Sequence, residues 1–218
     1  MFGKERVVNK EQLMDVITNK NAILHGWCEE NKAILLAELA YTIQNEQKEI
    51  TCVEIGVFAG KSLYCIVALL DSNLPKNIYG IDPFNSLNCC EGNNDVANDE
   101  WWSKIDWIEI IKSAEDIAQK YNCHLIKKTS EAVAPEFNNN SIDLLHQDGN
   151  HSEEMSCLDI ELWSNKIIKK GYWLMDDTNW PTTQKAQKLI ITKGFIEIDV
   201  DNGFGKIEGR EWKLYQKI

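Results

Sequence analysis

The chain has 218 residues, 23 basic and 34 acidic, for a net charge of −11. That length fits one domain with a substantial core, and the acidic balance argues against nucleic acid or an anionic membrane as partner, since phosphates select a basic face. Seven cysteines without a C-x-x-C spacing argue against a zinc site. No apolar run is long enough to span a membrane, and the N-terminus lacks the apolar core of a secretory leader, so the sequence reads as cytoplasmic.

Two helical patterns come first, over residues 11–18 and 29–44. In the second, Leu36, Leu39, Ala40 and Ile43 share one face, which packs either beside a sheet or against a second copy of the chain. Residues 1–49 thus read as an N-terminal helical extension, with a possible homo-oligomer contact through its helices. An apolar strand (Ile50–Ile55) then runs into Gly56 and Gly60, and a helical pattern follows over 62–70. Glycine lets backbone approach a ligand closely, and the helix presents unpaired N–H groups to it. One strand later, Ile78-Tyr79-Gly80-Ile81 ends in Asp82, a carboxylate able to accept from ribose hydroxyls. Strand, glycine turn, helix, strand and acid describe a nucleoside-binding βαβ unit. The spacing is G-x-x-x-G rather than the dinucleotide G-x-G-x-x-G, which favours a smaller nucleoside such as S-adenosylmethionine over a pyrophosphate cofactor.

An irregular segment rich in Asn, Asp and Ser covers 83–99, placed where open α/β sheets bind ligands. Trp101, Trp102 and Trp107 lead into a helix ending near Tyr121. Strands follow at 123–126, 142–146 and 172–175, with helices at 130–137, 152–167 and 181–192. Residues 195–200 and 211–217 alternate apolar and polar around Gly203, Gly205 and Gly209, as an antiparallel pair does. The fold class is α/β: a Rossmann-like, doubly wound, seven-stranded and mostly parallel sheet with the last strand antiparallel and helices on both faces.

The fourth strand ends in His146-Gln147-Asp148-Gly149-Asn150-His151, and the fifth in Met175-Asp176-Asp177-Thr178. In a parallel sheet both ends open into the crevice of Gly56 and Asp82. Carboxylates gathered there repel one another unless a cation lies between them, and oxygen ligands suit Mg²⁺ or Ca²⁺. A nearby histidine can take a substrate proton at neutral pH. Plainer readings stand beside these. Asn150 with Glu153 makes a capping box for the helix at 152, and Asp177 or Thr178 caps the helix begun by Pro181. Ser130 caps its helix or contacts the nucleoside. Glu54, a charge within an apolar strand, needs a partner or a ligand. His25, His124 and His146 read as structural, and Trp101 and Trp102 either pack the loop or stack on substrate.

On these residues the chain from Ile50 onward resembles the class I S-adenosylmethionine-dependent methyltransferases. Glu54-x-Gly56-x-x-x-Gly60 is similar to their first motif and Asp82 to their ribose-binding acid. Asp148-Gly-Asn-His151 followed by Asp176-Asp177 resembles the metal-dependent macrocin- and mycinamicin-type sugar O-methyltransferases. The resemblance implies a methyltransferase domain over 50–218, with Glu54, Gly56, Gly60, Ser62, Asp82 and Ser130 binding S-adenosyl-L-methionine. It further implies Asp148, Asp176 and Asp177 holding Mg²⁺, and His151 with Asp148 in catalysis. The expected acceptor is a hydroxyl of a small molecule or glycan. Rival expectations are a methyltransferase-like binding protein without turnover and a nicotinamide-dependent oxidoreductase, the latter disfavoured by the glycine spacing.

Overall fold

The computed structural model describes residues 24–92, 96–200 and 210–218. Helix α1 (Glu30–Gln47) leads into strand β1 (Ile50–Ile55), helix α2 (Lys61–Val67) and strand β2 (Lys76–Ile81). Two short helices, α3 (Ser86–Cys89) and α4 (Val96–Trp102), and a longer α5 (Trp107–Tyr121) precede β3 (His124–Ile126). Then come α6 (Ser130–Val133), β4 (Ile142–Gln147), α7 (Glu153–Trp163) and β5 (Ile167–Met175), and finally α8 (Gln184–Thr192), β6 (Phe195–Ile198) and β7 (Lys213–Lys217).

The described residues form one seven-stranded sheet in the order β3-β2-β1-β4-β5-β7-β6. All neighbours pair in parallel except β7, which runs antiparallel to both β5 and β6. Side chains alternate between the two faces, as the strand period requires. Ile50 and Cys52 of β1 join a core with residues of α1, α2 and α5. Val53 and Ile55 join a second core with residues of α6, α7 and α8. The apolar stripe on α1 is therefore used within the chain, with Leu36, Leu39, Ala40 and Ile43 all buried.

Register decides where the strands stop. Ile55 pairs with Ile81 on one side and Gln147 on the other, and Gln147 pairs with Met175. The ladder continues for one more residue: Gly56 N–H donates to Ile81 O at 2.9 Å, Asp148 N–H to Ile55 O at 2.8 Å and Asp176 N–H to Gln147 O at 2.9 Å. Asp82 N–H likewise donates to Ile126 O at 3.1 Å. Asp82, Gly56, Asp148 and Asp176 consequently stand in a row along the carboxyl edge of the sheet. The order reverses between β1 and β4, the switch point at which open α/β sheets bind ligands.

Several elements differ from the sequence expectation, each for a local reason. The helix expected over 152–167 stops at Trp163, and the strand expected at 172–175 begins at Ile167. Lys170 at φ 66° and a register shift between Ile142 and Leu144 break the period-two pattern there. The helix expected over 130–137 divides at Pro135, whose missing N–H ends the α-helical ladder. The helix expected at 181–192 opens with a 3₁₀ turn, Pro181–Thr183. The 83–99 segment is not irregular throughout: α3 forms because the Asn85 side chain accepts from Asn88 N–H. The helix expected at 11–18 and the glycine-rich turn at 203–209 lie outside the described residues.

Candidate functional site

A cavity of about 930 Å³ opens above the strand ends, lined by Gly56, Asp82, Asp148 and Asp176 from the row and by residues of the loops that follow. Gly56 makes this approach possible. At φ +86° a Cβ there would lie 1.9 Å from the Asp148 carbonyl oxygen, so the β1 and β4 loops touch through bare backbone. Ser62, on the first turn of α2, faces the same cavity.

Asp82 ties the first two loops together. One carboxylate oxygen accepts from Val57 N–H at 3.0 Å and Phe58 N–H at 2.9 Å, and the other from Phe84 N–H at 2.7 Å. Burial pushes its carboxyl up, against the pull of these amides. A carboxylate offers about four acceptor directions, which leaves about one unused by these amides, and Asp82 lines the cavity. Phe58, Phe84 and Asp177 adopt left-handed φ of 48°, 52° and 48° just after β1, β2 and β5. Each costs on the order of 1 kcal/mol, and such strain gathers where loops must present particular groups.

Beyond this turn lies a linked set of acids and bases. Glu54 does not reach the cavity: it is wholly buried and its carboxylate meets His146 Nδ1 at 2.9 Å. The two are register partners across β1 and β4. His146 Nε2 lies 3.8 Å from Asp148 Oδ2. Asp148 and Asp176 both meet the ammonium of Lys32, which is 3.3 Å from Asp148 Oδ2 and in direct contact with Asp176 Oδ2. His151 Nε2 meets Asp177 Oδ2 at 2.8 Å and lies 3.8 Å from Asp148 Oδ1.

The electrostatics follow from this arrangement. Burial, then the neighbouring Asp176, pushes the Asp148 carboxyl up to about 7, although Lys32 and both histidines oppose the rise. Burial acts the same way on Asp176, but Lys32 and His146 together hold it below the usual carboxylate range. Burial disfavours charge on His151, yet the hydrogen bond and charge of Asp177 outweigh it and raise the imidazole. Lys32 is 3% exposed and would lose its charge to burial, except that Asp148 and Asp176 hold it well above its ordinary value.

At the positions expected to hold Mg²⁺, Asp148, Asp176 and Asp177, nitrogens of this chain compete for the carboxylates. Among the described residues the three aspartates fall into two overlapping groups with the spacing of metal ligands, His146 with Asp148 and Asp176, and Asp148 with His151 and Asp177. Lys32 occupies the first and the His151 imidazole completes the second. A hard cation needs about six oxygens, and here one oxygen each of Asp148, Asp176 and Asp177 already faces a nitrogen of Lys32 or His151.

Other expected residues are placed differently. Gly60 lies behind the cavity wall, where a Cβ would sit 3.4 Å from Ala114 Cα on α5. Ser130 does not cap α6, since Thr129 does; its hydroxyl donates to Asp159 Oδ1, and both residues line the cavity. Asn150 does not cap α7, since Ser152 does. Instead its amide donates to the carbonyls of Asn88 at 2.9 Å, Cys89 at 3.2 Å and Glu91 at 2.8 Å, fastening the β4 loop to the segment after β2. Asp177 and Thr178 cap no helix by side chain; Trp180 holds the N-cap position before the 3₁₀ turn.

Of the cavity's aromatic wall, sequence reasoning offered Trp101 and Trp102 as stacking candidates and missed Trp27, Phe58 and Trp180. Trp27 lies 4.9 Å from Trp101, edge to face, and Trp101 4.7 Å from Trp102 (ring centroids). Phe58 packs among them, and Trp180 closes the far side 5.3 Å from the His151 ring. Trp27 is 67% exposed and Trp101 38%, so this wall is open to an incoming ring.

Residues 53–178 match a family model described as a methyltransferase domain. Among curated proteins, the uncharacterized protein R132 of Acanthamoeba polyphaga mimivirus is 30% identical over 152 residues, 66% of this chain, and the chain spans 57% of that relative's length. Among solved structures, the O-methyltransferase NovP superposes with TM-score 0.66 at 13% identity, covering 92% of this chain and 87% of NovP. Cofactor-bound Rv0187 from MTB gives 0.57 at 12% identity (96% and 91% covered), and the Bacillus cereus O-methyltransferase in complex with SAH gives 0.54 at 10% (96% and 91%). Those likenesses are of fold, and the fold is the seven-stranded sheet described above. The sequence match begins at Val53, downstream of the helix that carries Lys32, and spans every strand end of the row. The chain belongs to the methyltransferase-domain family.

Proposed function

We propose that this protein is an S-adenosylmethionine-dependent O-methyltransferase acting on a hydroxyl of a small molecule or sugar. The observation that carries this reading is the single cavity shared by the Gly56 turn, Asp82 and the His151–Asp177 pair. A nucleoside end and a proton-accepting end thus lie within one enclosure. The bare backbone at Gly56 suits the close approach of a nucleoside, and Ser62, Asp82 and Ser130 supply polar contacts around it. When bound, S-adenosylmethionine supplies an electrophilic methyl group on a sulfonium.

The residues of the chain align and deprotonate. Asp177 fixes the His151 ring through Nε2, and Nδ1 carries no hydrogen bond among the described residues. That nitrogen is the proton acceptor for the acceptor hydroxyl, and the imidazolium so formed is stabilised by Asp177. The tryptophan wall favours an acceptor with a ring face, aromatic or sugar, because such faces stack on indole while keeping hydroxyls free at the edge.

Calorimetry with S-adenosylhomocysteine tests the nucleoside end. The wild type binds, and Asp82→Ala binds at least tenfold more weakly because the Val57, Phe58 and Phe84 amides lose their common acceptor (about 1.4 kcal/mol or more). Labelled-methyl transfer to a panel of ring-bearing hydroxyl compounds tests the rest. Wild-type protein that shows no binding at about 1 mM ligand (weaker than about −4 kcal/mol) refutes the proposal.

A further inference from the structure

We propose that Lys32 is the resident cation of this site, its ammonium standing between Asp148 and Asp176 where the sequence resemblance placed a divalent metal ion. The contacts carry this directly. Asp148 and Asp176 end adjacent strands, and between their carboxylates lies the nitrogen of a side chain 3% exposed. Lys32 comes from the first turns of α1, whose neighbouring residues Ala33, Ile34, Leu35 and Leu36 are all buried. The backbone is anchored, so the ammonium is delivered by the fold. A metal ion entering the same place would strand an ammonium in a buried setting, which costs several kcal/mol. The remaining carboxylates of the cluster have imidazole partners, Glu54 in His146 and Asp177 in His151.

An ammonium has three N–H donors, and two are taken by Asp148 and Asp176. Lys32 lines the cavity, so the third is available to an acceptor oxygen, whose developing negative charge it stabilises while His151 takes the proton. This last role rests on the methyl-transfer reading; the filling of the cation position does not.

Manganese binding separates the two. Chelator-treated wild-type protein titrated with Mn²⁺ and followed by the free-ion electron paramagnetic resonance signal should bind none up to about 1 mM, and its unfolding temperature should be the same in EDTA and in Mg²⁺. Lys32→Met, which keeps the length and removes the charge, should bind Mn²⁺ at least about tenfold more tightly than wild type and gain thermal stability on adding it. Lys32→Arg keeps a cation in place and should remain silent to Mn²⁺. Wild-type protein that takes up Mn²⁺ below about 1 mM, with the uptake abolished in Asp176→Asn, overturns the assignment whatever the fate of the variants. A folded Lys32→Met that stays silent overturns it as well. These outcomes are read without methyl transfer, so an inactive protein would count against the functional reading and leave this one standing.

Discussion

Three of the described glycines with φ near +85°, Gly56, Gly60 and Gly194, differ in their surroundings, which allows the closeness of the β1 and β4 loops to be measured. Gly56, Gly60 and Gly194 have φ of +86°, +85° and +85°. At Gly194 a Cβ meets nothing within 4 Å. Gly194→Ala therefore reports the left-handed backbone alone, ~1–2 kcal/mol, less a few tenths recovered from a stiffer unfolded chain. At Gly60 the nearest atoms are Ala114 Cα and Ile117 Cγ1 at 3.4 Å, ordinary contact that adds little. At Gly56 the Asp148 carbonyl oxygen would be 1.9 Å away and its carbon 2.4 Å, both backbone. Asp148 is pinned by its own N–H to Ile55 O, so no side chain can swing aside. Overpacking of that kind adds ~1–3 kcal/mol, bringing Gly56→Ala to ~2–5 kcal/mol in total. Urea unfolding followed by tryptophan fluorescence gives the three values on one scale. The order expected is Gly56 well above Gly60, with Gly60 close to Gly194. If Gly56→Ala costs no more than Gly194→Ala, the loops are not in the contact described and the cradle argument fails.

Two further outcomes follow from the electrostatics. Because Asp177 outweighs burial and raises the His151 imidazole, neutral His151 is recovered only above its ordinary pKa, so kcat/KM should rise with pH through a midpoint above ~6.5; Asp177→Asn should move that midpoint down, and His151→Ala should lower kcat by roughly 10²-fold with S-adenosylhomocysteine affinity retained. Burial lifts the Asp159 carboxyl from 3.8 to about 6, so its destabilising effect is absent below the unfolded value, grows as pH rises between the two and is complete above about 6. The gap is worth ~3 kcal/mol, and Asp159→Asn should accordingly gain in stability relative to wild type between pH 4 and pH 8; an equal difference at both pH values in urea titrations would show that Asp159 is not held in this way.

The sheet was legible because its strands are short apolar runs that end in polar residues. Ile50–Ile55 and Ile142–Gln147 are bounded by glycine and aspartate, which mark both the end of the run and the edge of the crevice. Legibility failed where a local device hides the period. In β5 the left-handed Lys170 and the shifted register hid the strand over residues 167–171, the first of which read as the end of a helix. In 83–99 an Asn side chain that read as loop serves as a cap, Asn85 starting α3, and Asn150, read as a capping residue, reaches across from the β4 loop to hold the segment down. Composition assigns such residues to turns without saying what they bond to.

The site itself was legible as a concentration of charge and not as a set of pairings, and the difference lies in sequence distance. Glu54 within an apolar strand demanded a partner, and the partner proved to be His146, its register neighbour 92 positions away, rather than a ligand. The repulsion among the strand-end aspartates demanded a cation by the same reasoning. Lys32 answers it from 116 and 144 positions away, in a helix whose sequence matches nothing in the aspartate motifs. One signal for it was present. Lys32 precedes Leu36 by four residues, Leu39 by seven and Ile43 by eleven, so it stands in line with the apolar stripe of α1. A lysine on a buried face must find negative charge, and in this chain the strand-end aspartates supply it. Two unpaired demands, a buried cation on one element and crowded anions on two others, are each weak evidence alone. Taken together they specify a contact, because each removes the other's desolvation penalty, and that contact brings α1 to the carboxyl edge of the sheet.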